Sequence, residues 1–432
     1  MKSLVNEIKL LVFTILLGAV AGAIVWLFMR GVGLCTEFLW GTIPEWIDES
    51  AGFHFSAYPI ILCALGGLLI GILHKYFGDY PEALPTVIGK IKKDGTYSYQ
   101  HILPLMILAF LPLIFGGSIG PEAGLTGIIA ALCYWVGDNL RYARERKNHF
   151  SEIGEVITLG VIFHAPLFGI FAVEEEEFGG DEKPMLPKPV KLILYGLAIG
   201  AAFAATALLR HFFGRAAEGL PRLPVSPSHW QDYVLMLLYI PAGILLYLFF
   251  ELSEKISCLV AKRIPTVLRG LLGGVLIGVC GMLLPIVLFS GEEAMGTLPD
   301  TFTTYAPLAL IGIALLKCLL TTVSIQTGFR GGHFFPLIFA CVCLGFGIAM
   351  LIFGKDAGSH VVFAAAVVTA TTLGAQLKKP LAVAMLLLLM FPVRIVLLIL
   401  LAATVGSLIG NKINGNQTKT GEQGPESEVN HE

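Results

Sequence analysis

Twice in this chain an apolar stretch is broken by a glycine pair and a proline before a second apolar run begins. The two breaks are Gly116-Gly117-Ser118-Ile119-Gly120-Pro121 and Gly331-Gly332-His333-Phe334-Phe335-Pro336. Each is followed by a second proline step: Pro166 lies 45 positions after Pro121, and Pro380 lies 44 after Pro336. Such breaks predict helices that start inside a membrane, near Gly120–Glu122 and Phe334–Phe335. The free N–H groups and the dipole at a helix start favour negative charge. Paired discontinuous helices at matching places in two halves point to a transport site near the bilayer midplane. The pattern therefore predicts a membrane protein that handles anions.

Composition agrees with a membrane class. Hydrophobic residues make up 56% of the chain and charged residues 14%, and the mean hydropathy is +0.79. A soluble domain carries about 25% charged residues. Apolar runs recur from residues 10–29 to 381–409, some of them well short of the about 20 residues a perpendicular helix needs. Their unevenness predicts an all-α integral membrane protein with tilted and re-entrant helices, in roughly ten to twelve passes. The first run follows Lys2 and Lys9 and could be read as a secretory leader. It is too long for one and has no small-residue cleavage site after it, which predicts a transmembrane helix.

The eight cysteines show no metal-ligand spacing and read as small core residues. No metal or cofactor is expected beyond a small anion as ligand, and the net charge of −2 points to no particular partner, nucleic acid included. Basic residues Arg141, Arg144, Arg146 and Lys147, with the N-terminal lysines, assign those ends to the cytoplasmic side. A cluster of glycine, proline and charge at 179–189 marks a junction. The predicted organisation is a first transmembrane repeat at 1–180, a bridging helix and linker at 181–231, a second repeat at 232–412, and a disordered polar tail at 413–432.

These motifs together resemble the CLC family of chloride channels and transporters, most nearly its divergent bacterial members known only as ion-transport proteins. Gly117-Ser-Ile-Gly-Pro121 is similar to the family's Gly-Arg/Lys-Glu-Gly-Pro filter motif, and Gly332-His-Phe-Phe-Pro336 to its Gly-x-Phe-x-Pro motif. The stretch from Phe163 through Ala165-Pro166-Leu167 to Glu176 resembles the family's Phe-Asn-Ala-Pro-Leu-Ala-Gly segment ending in paired glutamates. Ser290-Gly-Glu-Glu293 resembles a loop early in the family's second half, and Lys317 falls where relatives often carry a basic residue. The resemblance implies an inverted-repeat fold, a homodimer with one pore per subunit, and a multi-pass place in a cell membrane, bacterial inner or plasma. It also implies anions held at helix N-termini by Gly117, Ser118, Ile119, Gly120, Gly332, His333, Phe334 and Phe335.

The chain departs from the family at its side-chain ligands. The outer gating glutamate would stand at position 119, which is isoleucine; the inner proton-handling glutamate would be Glu176, within the run 174–177. Aligning the family's Gly-Ser-Gly-Ile-Pro element on Phe77-Gly78-Asp79-Tyr80-Pro81 puts Gly78 at the ligand serine, and no tyrosine follows Tyr305. Anion binding is thus expected to rest on backbone amides.

Glu122 follows Pro121 directly. It is either a favourable charge on a first helical turn or a displaced gate three positions late. The acid run at 174–177 is either a wet helix end or a vestibule for protons or ions. Arg330 and Lys317 are candidate anion attractors, though Lys317 could equally pair with helix-end carbonyls, and His333 could be a hydrogen-bonded structural group. With Ile119 in place of the gate, the expected function is passive anion transport uncoupled from protons. The alternative is a proton/chloride antiporter with Glu122 or Glu176 as relay. A membrane-embedded enzyme is disfavoured, since no HExxH, no GxSxG and no paired intramembrane aspartates occur; a cation carrier would need acids where the motifs offer amides.

Overall fold

The computed structural model of the chain describes residues 2–51, 55–82, 86–87, 97–139, 147–177, 188–214, 216, 219–225 and 229–420. The basic loop at 141–146, the centre of the junction at 178–187 and the end of the tail at 421–432 lie outside them.

The described chain is helical, and its helices fall into two series of matching order. The first series holds α1 (Lys2–Glu37), α2 (Ile43–Ala51) and α3 (Tyr58–Phe77), then α4 (Ile102–Ile114) and α5 (Glu122–Asn139). It closes with α6 (Lys147–Ile162), α7 (Pro166–Glu177) and α8 (Lys188–Phe213). The second series holds α9 (Trp230–Ala261), α10 (Thr266–Leu283), α11 (Glu292–Thr301) and α12 (Pro307–Thr327). It continues through α13 (Phe334–Phe353), α14 (Val361–Leu377), α15 (Pro380–Met390) and α16 (Val396–Thr420). That last helix runs into residues the sequence reading gave to the polar tail.

Among the described residues eight segments are long and apolar enough to cross a membrane, and five shorter apolar helices accompany them. α4, α5, α14 and α15 are among the short ones. Their breaks are built alike in both series. Gly116 and Gly328 take positive φ (79° and 112°), each six residues before the next helix starts at Glu122 or Phe334. His164 and Lys378 take positive φ (52° and 58°), each two residues before the prolines that open α7 and α15. A non-glycine residue in that region is uncommon, so its recurrence at matched positions marks a repeat.

Alignment on these breaks corrects the register read from the sequence. Pro121 and Pro336 are not counterparts: Pro121 precedes its helix, whereas Pro336 is the third residue of α13. Proline is tolerated at both places because the first turn of a helix leaves its N–H groups unbonded anyway.

Close helix pairs are made at small residues. α3 meets α10 where Gly67 lies on the Gly270 carbonyl and Gly274 on that of Cys63, and α1 meets α8 where Gly18 and Gly22 lie on Ala198 and Ala202. Small residues let backbones approach in lipid, where apolar burial between helices supplies little drive. α8, which the sequence reading left between the halves, thus packs along the first series. Leu237, Leu397 and Leu308 are exposed on the outer faces, as lipid contact requires, while α13 and α14 are almost wholly buried at the centre. The eight cysteines are free thiols, six of them buried.

Candidate functional site

The starts of α5 and α13 meet. The Gly120 amide donates to the Gly332 carbonyl at 2.7 Å, and the Gly332 amide to the Gly120 carbonyl at 2.8 Å, an antiparallel bridge. Each glycine lies two residues before its helix, so the bridge joins counterparts, as an inverted repeat demands. Two helix N-termini, each worth roughly +0.5 of a charge, face one small volume.

A carboxylate fills that volume. The Glu122 side chain folds back over the bridge, and its Oε1 accepts from the Phe334 amide at 2.7 Å. The amides of Phe335 and of Glu122 itself also face the carboxyl. Neither Gly120 nor Gly332 leaves room for a Cβ, because the carboxyl group occupies that space. Glu122 is fully buried, and its Oε2 has no hydrogen-bond partner among the described residues. A buried carboxylate is costly unless compensated; here the paired N-termini supply roughly one unit of positive charge.

This arrangement narrows the cradle expected from sequence. The Gly117 amide bonds Pro112 and the Ile119 amide bonds Gly117, while Gly120 and Gly332 bond one another. These four amides are spent inside the protein; the amides of Phe334 and Phe335, with that of Glu122, face the carboxylate. Ser118 holds Thr321 of α12 at 3.1 Å. Ile119 is buried and packs on Gly331, its counterpart in the second half, so position 119 faces backbone rather than the amides of α13. Phe335 stacks on Phe163 with ring centres 4.9 Å apart. His333 packs on Phe250, and its Nε2 lies 3.3 Å from Gln376 Nε2, the structural reading of that histidine.

The two basic candidates are bound to protein partners. Lys317 is buried, and its ammonium donates to the carbonyls of Val287, Leu288 and Phe289 at 2.9, 3.1 and 2.6 Å. An ammonium has three donors; all three hold the loop before α11, so Lys317 is a fastening and not an anion attractor. Arg330 pairs with Asp79 at 2.7 Å, and Arg269 approaches the other oxygen of that carboxylate at 3.8 Å. His74 joins this cluster, with Nε2 on the Gly328 carbonyl at 2.8 Å and Nδ1 near the Gly78 carbonyl at 3.0 Å. Gly78 caps α3 through its own amide to the His74 carbonyl, so that amide does not face an anion.

At the acid run, Glu175 accepts from the amides of Leu381 and Ala382 at the start of α15, at 3.2 and 2.9 Å. Glu174 lies 4.0 Å from Lys191. The Glu176 side chain lies outside the described residues. Among the described residues no three His, Cys, Asp or Glu converge as metal ligands.

One acid was quoted in a sequence motif without a role being given to it. Glu292 opens α11 and lines a cavity of about 140 Å³ together with Pro121 and Leu125, which flank Glu122 on α5. The cavity is also bounded by His164, Thr206 and Arg210. α11 is not one of the spanning helices. Burial and then the charge of Glu122 hold the Glu292 carboxyl above the ordinary carboxylate range, partly offset by the Ser290 hydroxyl. The sequence signal was available in Glu292 and Glu293, but two acids on a first turn read as ordinary dipole partners.

A bundle of long and broken helices, with two helix starts joined around a buried acid, defines a multi-pass membrane protein built on paired discontinuous helices. The chain belongs to the voltage gated chloride channel family, whose profile matches residues 66–411. "Putative ion-transport protein YfeO" of Salmonella newport (strain SL254) is 22% identical over 345 residues, 77% of this chain and 78% of the relative. The protein of that name from Salmonella typhimurium matches to the same extent. Among solved structures, a CLC-type fluoride/proton antiporter superposes with a TM-score of 0.71 at 19% identity, over 94% of this chain and 95% of its own. A slow cyanobacterial Cl-/H+ antiporter superposes with a TM-score of 0.75 at 19% identity, over 97% and 99%. At such identities the likeness speaks for the fold.

Proposed function

We propose that this protein carries small halide-like anions across a bacterial inner or plasma membrane, and that the Glu122 carboxylate competes with the anion for the start of α13. The observation that carries the proposal is the 2.7 Å bond from the Phe334 amide to Glu122 Oε1. An anion can take that amide only after the carboxylate leaves, and protonation removes the charge that holds it there. Anion passage is thereby linked to a proton, which favours exchange over the passive conduction suggested by Ile119. The proton-linked exchange named for two of the structural neighbours supports the same reading. A homodimer remains the assembly expected from the family.

The test is flux from liposomes containing the purified protein, with chloride or fluoride and protons followed together. Acidification is expected to speed anion flux in the wild type, since it neutralises the competing carboxylate, and anions and protons should move together. Glu122→Gln is expected to carry anions without protons and with little pH dependence. Wild-type anion flux that moves no protons would restore the passive reading.

A further inference from the structure

Glu122 has no contact with solvent, yet the proposed exchange requires it to gain and lose a proton. Its Oε2 is buried and lacks a hydrogen-bond partner among the described residues, so that atom is open to a proton. A cavity beside the start of α5 offers a route. Its volume of about 140 Å³ exceeds many times the roughly 10–15 Å³ a water needs on this measure, and polar groups on its wall offer such waters partners. Pro121 and Leu125, on either side of Glu122 in the chain, line this cavity together with Glu292, and the charge of Glu122 acts on the Glu292 carboxyl.

Glu292 is also fixed in place. Gly291 turns the chain at φ 89°, and Lys317 fastens the three residues before Ser290. The other titratable groups on the cavity wall are His164 and Arg210. Arg210 is cationic throughout the working range and cannot relay a proton. His164 stands at the turn between α6 and α7.

Resting on the proposed exchange at Glu122, we propose that Glu292 is the relay through which Glu122 trades protons with water in this cavity. A hydronium ion that reaches the cavity gives its proton to the Glu292 carboxylate and is left as water. Glu292 then passes it to Oε2 of Glu122, directly or across one water, and returns to the carboxylate form. Glu122, now neutral, releases the Phe334 amide to an anion. One proton moves and no other bond changes. The cavity touches Val25, Trp26 and Met29, toward the end of α1 away from Lys2 and Lys9, so the charge placement that puts those lysines on the cytoplasmic side puts this mouth on the other.

Proton flux in liposomes driven by a chloride gradient tests the relay. Glu292→Gln is expected to slow proton movement roughly tenfold or more, the scale of a lost acid–base group, and Glu292→Asp to restore much of it. In the Glu122→Gln background the second change should alter nothing, since the receiving carboxylate is gone. Should Glu292→Gln not fold, Ala207→Phe fills the cavity from α8 and leaves both acids in the sequence, and the same slowing is expected. Wild-type proton flux and pH profile in Glu292→Gln, or in Ala207→Phe where the first does not fold, would overturn the relay. If Glu122→Gln itself keeps the wild-type pH profile, the fault lies in the reading of Glu122. If it loses that profile while Glu292→Gln keeps it, only the relay fails.

Discussion

Asp79 sits between Arg330 and Arg269, which are 23% and 15% exposed, and its own side chain is 40% exposed. At the end of α3 this carboxylate approaches both guanidiniums, and the charge of Glu82 acts on Arg330 as well. The attraction first ascribed to Arg330 is partly cancelled by its partner. Asp79→Asn would remove the carboxylate that approaches both guanidiniums, so anion flux should rise several-fold at low ionic strength. The gain should fade above about 0.1 M salt, where the Debye length is about 10 Å. An unchanged salt dependence would make the cluster purely structural. Side-chain destinations of this kind were the least legible part of the sequence. The position of Glu122 after Pro121 was plain, but its fold-back depends on Gly332, some 210 residues away. Lys317 was equally open to two readings until the loop it holds could be seen. A local motif marks where a helix starts; it cannot tell which partner half meets it.

At the level of helices the reading was clearer, because glycine and proline act on the backbone nearest to them. Helix starts at Glu122 and Phe334 and the proline openings of α7 and α15 follow from the breaks themselves. What escaped was register. Matching prolines aligned Pro121 with Pro336, whereas the bridge aligns Gly120 with Gly332. The tight pairing of α3 with α10 was not legible either, since glycine is common in membrane helices for several reasons. That pairing is testable. A Cβ at Gly270 would strike the Gly67 carbonyl, while one at Gly196 on α8 meets nothing within 4 Å. Gly270→Ala should cost about 1–3 kcal/mol as an overpacked contact and lower the melting temperature in detergent. Gly196→Ala should leave it unchanged or slightly higher. Equal melting of the two would show that the close approach contributes nothing.

Across the whole molecule, two inverted halves bring one helix start each to a shared point, and neither half alone could balance a buried carboxylate. Fold class was legible because the paired breaks, the apolar runs and the family motifs all agree with one architecture. The chemistry at the junction was not: Ile119 suggested a gate lost, while the structure shows a carboxylate three residues later reaching the other half. The measurement that bears on this most directly is anion binding at the start of α13. Crystals of the wild type and of Glu122→Ala, soaked in bromide at neutral pH, would locate the ion by its anomalous scattering. With the carboxylate removed, bromide should appear at the Phe334 amide, and the wild type should show Glu122 there instead. Bromide at that amide in the wild type with Glu122 still in place, or no bromide there in Glu122→Ala, would contradict the assignment.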